Sequence, residues 1–80
     1  MTSGAPTAEE QAWLRAVGMR VRLGRVAHRE SQEQLGARSG VSRVTVGSIE
    51  RADHQAGVIA YARLARALDV PLADLLDGAP

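Results

Sequence analysis

Apolar residues along this chain recur every three or four positions and nowhere alternate, the pattern of helices that pack by one face. Their punctuation places five helices. Residues 1–6 read as a flexible leader. Thr7 and Glu10 form a capping box, in which each side chain meets the other residue's backbone N–H, and the first helix runs from there to about Arg29. Leu14, Val17 and Val21 make its core face, with Arg25 and His28 on the same side. Ser31 and Gln34 repeat the capping box and open a short second helix. It stops at Gly40, a residue suited to the left-handed conformation of a helix end. Val41 bridges, and Ser42 caps a third helix that extends to about Arg51. After a loop from Ala52 to Gly57, a fourth helix spans Val58 to Leu68, with Val58, Tyr61, Leu64, Ala65 and Leu68 on one face. Pro71 suits the first turn of a last helix, Leu72 to Leu76, closed by Gly78 and Pro80. The pattern predicts an all-α fold, a compact five-helix bundle forming a single domain over residues 7–78.

Composition narrows the chemistry. Eighty residues fit one domain with a small core. Without cysteine there is no disulfide framework and no thiolate metal site, which suits a reducing cytoplasm. No apolar run approaches the roughly 20 residues of a membrane helix, and the N-terminus lacks the basic and apolar regions of a signal peptide. A cytoplasmic protein with no membrane partner is therefore expected. His28 and His54 are too few and too far apart for a metal site. Serines 31, 39, 42 and 48 lack a histidine–acid partner set, and no glycine-rich loop is built to cradle phosphate. No enzymatic activity, cofactor, metal or small-molecule ligand is expected.

Charge changes the picture more. All ten basic residues are arginines lying between Arg15 and Arg66, and only Glu30, Glu33, Glu50 and Asp53 oppose them there. The remaining acids sit at the two ends. A basic middle suits a polyanionic partner, although a solvated surface has the same composition.

Function is concentrated in residues 32–51. Two short helices separated by a tight turn at Ser39-Gly40-Val41 stand at a steep angle, so that the second can enter a DNA major groove while the first crosses the backbone. Leu35, Val41, Val46 and Ile49 hold the pair from beneath. Arg43, Val44, Gly47 and Ser48 are left facing outward on the third helix, with Thr45 beside them. Gln32, Leu35, Gly40-Val41-Ser42, Val46, Ile49-Glu50-Arg51, Leu64-Ala65, Ala67-Leu68, Val70, Leu72 and Leu75, with Gly18, Val21-Arg22 and Arg25 upstream, resemble the helix-turn-helix domains of the phage repressor and Cro proteins, also called the xenobiotic-response-element type. The resemblance covers about residues 14–77.

This resemblance implies a sequence-specific regulator of transcription that binds double-stranded DNA, as a homodimer on a palindromic operator. It implies that Gln32 bonds a phosphate and touches Arg43, and that Arg43, Val44, Gly47 and Ser48 face base edges. Ser42, Thr45 and Arg51 become phosphate ligands and Arg38 an outer contact. Arg25 and Glu50 match a structural salt bridge between the first and third helices. Four positions depart from the family pattern: Gly24 stands where leucine is common, Glu30 where an apolar residue tucks beneath the second helix, Gly36 for alanine and Ala52 for glycine. A protein-interaction module, such as an antitoxin, is the alternative reading. It draws on a second apolar stripe of the first helix, Ala12, Ala16, Met19, Leu23 and Val26. That stripe either meets a partner subunit or the chain's own C-terminal segment, or belongs to a rotated helix and joins the core. Leu72, Leu75 and Leu76 compete with it as a dimer surface. Trp13 reads as a packing anchor.

Overall fold

The computed structural model describes residues 4–53 and 56–77, so residues 1–3 of the leader, His54, Gly78 and Pro80 lie outside the described residues. Five helices and no strand are present among them: α1 (Ala8–Ala27), α2 (Gln32–Ser39), α3 (Arg43–Arg51), α4 (Val58–Ala67) and α5 (Leu72–Leu76). None is long and apolar enough to cross a membrane.

Local sequence accounts for the starts. At α1 the Thr7 hydroxyl accepts from the Glu10 N–H at 3.0 Å while the Thr7 N–H donates to the Glu10 carboxylate at 2.9 Å. Ser31 and Gln34 reproduce the arrangement at α2, and the Ser42 hydroxyl caps α3 through the Thr45 N–H. Each bond satisfies an N–H that the helix itself leaves unpaired.

The stops are less conventional. Gly40 ends α2 at φ +80°, but Arg29, Ala52 and Asp69 follow α1, α3 and α4 at φ +55°, +56° and +58°. This is why α1 ends at Ala27 rather than near Arg29: Arg29 turns left-handed, and the Glu30 N–H returns to the Arg25 carbonyl at 3.2 Å.

The core gathers Val17, Val21, Leu35, Val41, Val46, Ile49, Tyr61, Leu64, Ala65, Leu68 and Leu75. Val58 does not join it as the sequence pattern suggests. It starts α4 exposed, on the rim of a shallow hollow shared with Trp13, Leu14 and Leu76. Leu14 is half-buried there and His28 is exposed. Trp13 is an anchor: its indole N–H donates to the Leu76 carbonyl at 2.7 Å and ties α1 to the end of α5.

Two of the departures from the family pattern are explained by contact. A Cβ on Gly36 would lie 2.7 Å from the Val41 carbonyl oxygen and 3.2 Å from the Arg43 nitrogen, so α2 and the start of α3 touch backbone to backbone. At Gly24 the missing side chain is replaced by Leu68, whose methyls lie 3.0–3.3 Å from where a Cβ would be. Gly18 brings α1 onto the last turn of α3, against the Ile49 and Glu50 carbonyls.

Arg29 is exposed and its side chain makes no polar contact among the described residues. A left-handed non-glycine residue costs about 1–2 kcal/mol and glycine's extra chain entropy returns about 0.5–1 kcal/mol of that. Arg29→Gly is therefore expected to stabilise the fold by ~0.5–1 kcal/mol, a rise of about 2–8 °C in the midpoint of thermal unfolding followed by circular dichroism.

Candidate functional site

The turn between α2 and α3 is built from its own residues. The Ser39 hydroxyl accepts from the Val41 N–H at 3.2 Å, and Arg63 reaches across from α4 to donate to the Gly40 carbonyl at 3.2 Å. Leu35, Val41, Val46 and Ile49 are buried beneath it. The inner side of α3 is thus fixed, and its outer side carries the candidate residues.

Those residues line two hollows with Val44 on the ridge between them. Gln32, Arg43, Val44, Gly47 and Arg51 form one; Val44, Thr45 and Ser48 border the other with Ile49, Ala56, Gly57 and Ala60. Val44 is 68% exposed. Arg43 is exposed, and its side chain makes no hydrogen bond or ion pair among the described residues. Gly47 is recessed rather than outward-facing. It floors the first hollow beneath the ends of Arg51 and Gln32, whose polar atoms lie 2.9 and 3.2 Å from where a Cβ would stand. The Ser42 hydroxyl donates to the Thr45 hydroxyl at 2.9 Å, which leaves the Thr45 proton free to donate outward. Arg51 pairs with Asp53 at 2.7 Å, both side chains being about half exposed. Such a surface pair is worth at most about 1 kcal/mol and exchanges readily for another anion.

Arg25 and Glu50 form a two-pronged ion pair at 2.7 and 3.0 Å, with the Glu50 side chain only 5% exposed. The remaining guanidinium arm donates to the Glu30 carbonyl at 2.8 Å, and Gln32 adds a bond to the same carboxylate at 3.2 Å. One carboxylate on α3 therefore binds α1 and α2 together. Its hydrogen bonds hold the Arg25 guanidinium above its already high ordinary pKa, against the opposing effect of burial.

Arg38 does not join the α3 cluster. Glu30 holds it at 2.7 and 2.8 Å, and it also donates to the Ala67 carbonyl. The physical reason is the departure at Glu30, which brings a carboxylate beneath α2. Arg38 in turn holds the Glu30 carboxyl below the usual carboxylate range. Among the contacts that escaped the sequence reading are Gln32 to Glu50 and Arg51 to Asp53. The second had a local signal, an acid two residues beyond the arginine. The first joins residues eighteen apart and had none.

A pair of short helices, joined by a glycine turn and tied to α1 by a largely buried ion pair, defines an all-α helix-turn-helix domain. The chain belongs to the helix-turn-helix family, whose model matches residues 24–75. Solved structures that resemble it include two that match over most of its length. One is the restriction-modification controller protein C.AhdI from Aeromonas hydrophila, with a TM-score of 0.72 and 37% identity over 78% of this chain and 94% of that one. The other is the hypothetical transcription factor NHTF from Neisseria, with a TM-score of 0.77 and 31% identity over 94% of this chain and 84% of that one. No curated protein matches the chain.

Removing one partner of a buried ion pair strands the other, at a cost of about 3–5 kcal/mol. Arg25→Ala is expected to lower the unfolding free energy by that amount, read as an earlier urea midpoint with an unchanged slope, and Arg25→Met with Glu50→Leu to recover most of it.

Proposed function

We propose that the protein is a sequence-specific regulator of transcription that places α3 in the major groove of double-stranded DNA, as a homodimer on a two-fold symmetric operator. The observation that carries this reading is the first hollow of α3: an unpaired arginine, an exposed valine and a recessed glycine on a helix whose other side is locked. Arg43 can pair bidentately with guanine O6 and N7, and Val44 can pack on a thymine methyl. Gly47 leaves room for the Arg51 and Gln32 side chains to lie across the hollow, and Ser48 borders the second hollow. Thr45 donates to phosphate, with Ser42 orienting it and the α3 N-terminus assisting. Arg51 exchanges Asp53 for phosphate. The second amide proton of Gln32 serves the same end, the first being held by Glu50. Arg38 contributes an outer contact only by leaving Glu30. The family and the likeness to C.AhdI and NHTF support this reading, which places the protein in the cytoplasm with no cofactor and no catalytic role.

For the dimer, the exposed Val58 and Ile59 at the start of α4 offer an apolar surface beside the recognition helix. Two copies meeting there would carry their α3 helices to successive major grooves, about 34–36 Å apart. The C-terminal leucines offer less: Leu75 is buried, and Leu72 and Leu76 pack against the core.

Fluorescence anisotropy on the DNA upstream of the protein's own gene, against scrambled duplex across a salt series, tests the DNA reading. The native duplex is expected to bind more tightly. Arg43→Ala should lose about 5–150-fold on it, equivalent to about 1–3 kcal/mol, and affinity should fall steeply with salt as the free energy gained by releasing counterions shrinks. Equal, weak binding to both duplexes, followed by a random-sequence selection that returns no preferred site, would sink the proposal. Sedimentation velocity checks the dimer: Ile59→Glu should give a folded monomer, and an unchanged dimer places the interface elsewhere.

A further inference from the structure

Helix α1 carries a second apolar stripe whose larger residues nothing among the described residues covers, while its two alanines are half-buried. Met19, Leu23 and Val26 are 51%, 61% and 56% exposed, on the side of the helix opposite the fully buried Val21. The spacing of Ala12, Ala16, Met19, Leu23 and Val26 is four, three, four, three, which is the a/d seam of a heptad rather than a scatter of apolar residues. Arg15 and Arg22 occupy the flanking position immediately before Ala16 and Leu23, whereas Arg29, seven residues further on, lies beyond the end of α1 in the left-handed conformation and outside that helical register. All three arginines are exposed and none has an ion-pair or hydrogen-bond partner among the described residues. The other flank is committed to the chain itself: Trp13 and Arg20 bond the Leu76 and Leu75 carbonyls at the end of α5.

We infer that this seam docks an amphipathic helix of another protein, one whose apolar stripe is edged by glutamate or aspartate. Knobs from such a helix fill the holes between Ala16, Met19, Leu23 and Val26, and its acids meet Arg15 and Arg22, the arrangement by which flanking charges choose partners in coiled coils. A second copy of this chain fits poorly. Residues 12–26 contain no acid. Two seams laid antiparallel oppose arginine to arginine, and laid parallel they set Arg15 against Arg20. Ala12 and Ala16 at one end and the larger Met19, Leu23 and Val26 at the other make the seam taper, so the partner's bulkier residues belong over the alanines. None of these residues lines the α3 hollows, so this surface and the proposed DNA surface are separate.

The probe is a synthetic three-heptad helical peptide with a leucine seam and glutamate at every flanking position, alongside the same peptide with lysine. Titrated against the whole protein by isothermal calorimetry, the glutamate peptide is expected to bind saturably and the lysine peptide not. Leu23→Ser should weaken it at least about tenfold, and Arg22→Glu should do the same while gaining the lysine peptide. Both positions are exposed, and circular dichroism melts of the two variants check that they stay folded. Equal binding of the two peptides, binding of neither, or indifference to Arg22→Glu would overturn the proposal. So would a sedimentation result in which Leu23→Ser alone turns a dimer into a monomer, since the seam would then belong to a second copy. Anisotropy on DNA is expected to be unchanged by Leu23→Ser, so that loss of the peptide and loss of DNA binding are distinguishable.

Discussion

The Glu50 carboxylate is the point on which the three helices nearest the candidate surface agree. It is almost fully removed from solvent, and burying a charge there is tolerable only because Arg25 meets it with two hydrogen bonds and Gln32 with a third. The consequence is geometric. Arg25 comes from α1, Gln32 from the first turn of α2 and Glu50 from the last turn of α3, so none of these elements can rotate without leaving a polar group unpaired. The free arm of Arg25 also closes onto the Glu30 carbonyl, so the connection into α2 is held by the same guanidinium. Apolar packing brings these helices together, whereas the directional bonds choose one orientation among those that packing allows.

Backbone contact does the rest. A domain of this size has few large side chains to bury, and it holds two aromatics in all. Gly18 and Gly36 compensate by removing side chains where helices cross, so α1 lies on the end of α3 and α2 on the start of it. Both ends of the third helix are therefore pinned by neighbours while its middle faces outward. The arrangement yields a rigid ridge from a small core, and a rigid ridge is what recognition by shape and hydrogen bonding requires.

What the sequence made legible follows from the range of the interactions involved. Capping boxes at Thr7 and Ser31 are local, and both stand where the spacing places them. The burial of Leu35, Val41, Val46 and Ile49 follows from helical periodicity. The misplacements come from interactions that periodicity does not encode. Val58 has the right spacing for the α4 face, but sits in a first turn that extends past the core. The end of α1 depends on Arg29 adopting a conformation usually left to glycine. Arg38 is exposed as the sequence suggests, and only the structure shows that Glu30 also pairs with it. Gly47 was readable as a gap in the recognition helix, but not as a floor covered by two polar side chains.

The basic middle of the chain also resolves differently in space than along the sequence. Several arginines are committed internally: Arg25 to Glu50, Arg38 to Glu30, Arg51 to Asp53, and Arg20 and Arg63 to carbonyls. Of those left without a partner among the described residues, Arg43 stands on α3, Arg66 on α4, and Arg15 and Arg22 share one side of α1, with Arg29 beyond its end. A net-charge argument treats these as one polyanion-binding face. The helical geometry divides them, because α1 turns Arg15 and Arg22 away from the core while α3 offers Arg43 from a hollow on a different element. Exposed like charges beside an apolar seam destabilise the isolated fold slightly, by repulsion and by apolar surface left in water. That cost is offset when an acidic, apolar partner lies on the seam, whereas DNA in the α3 groove relieves neither the repulsion nor the exposed apolar surface.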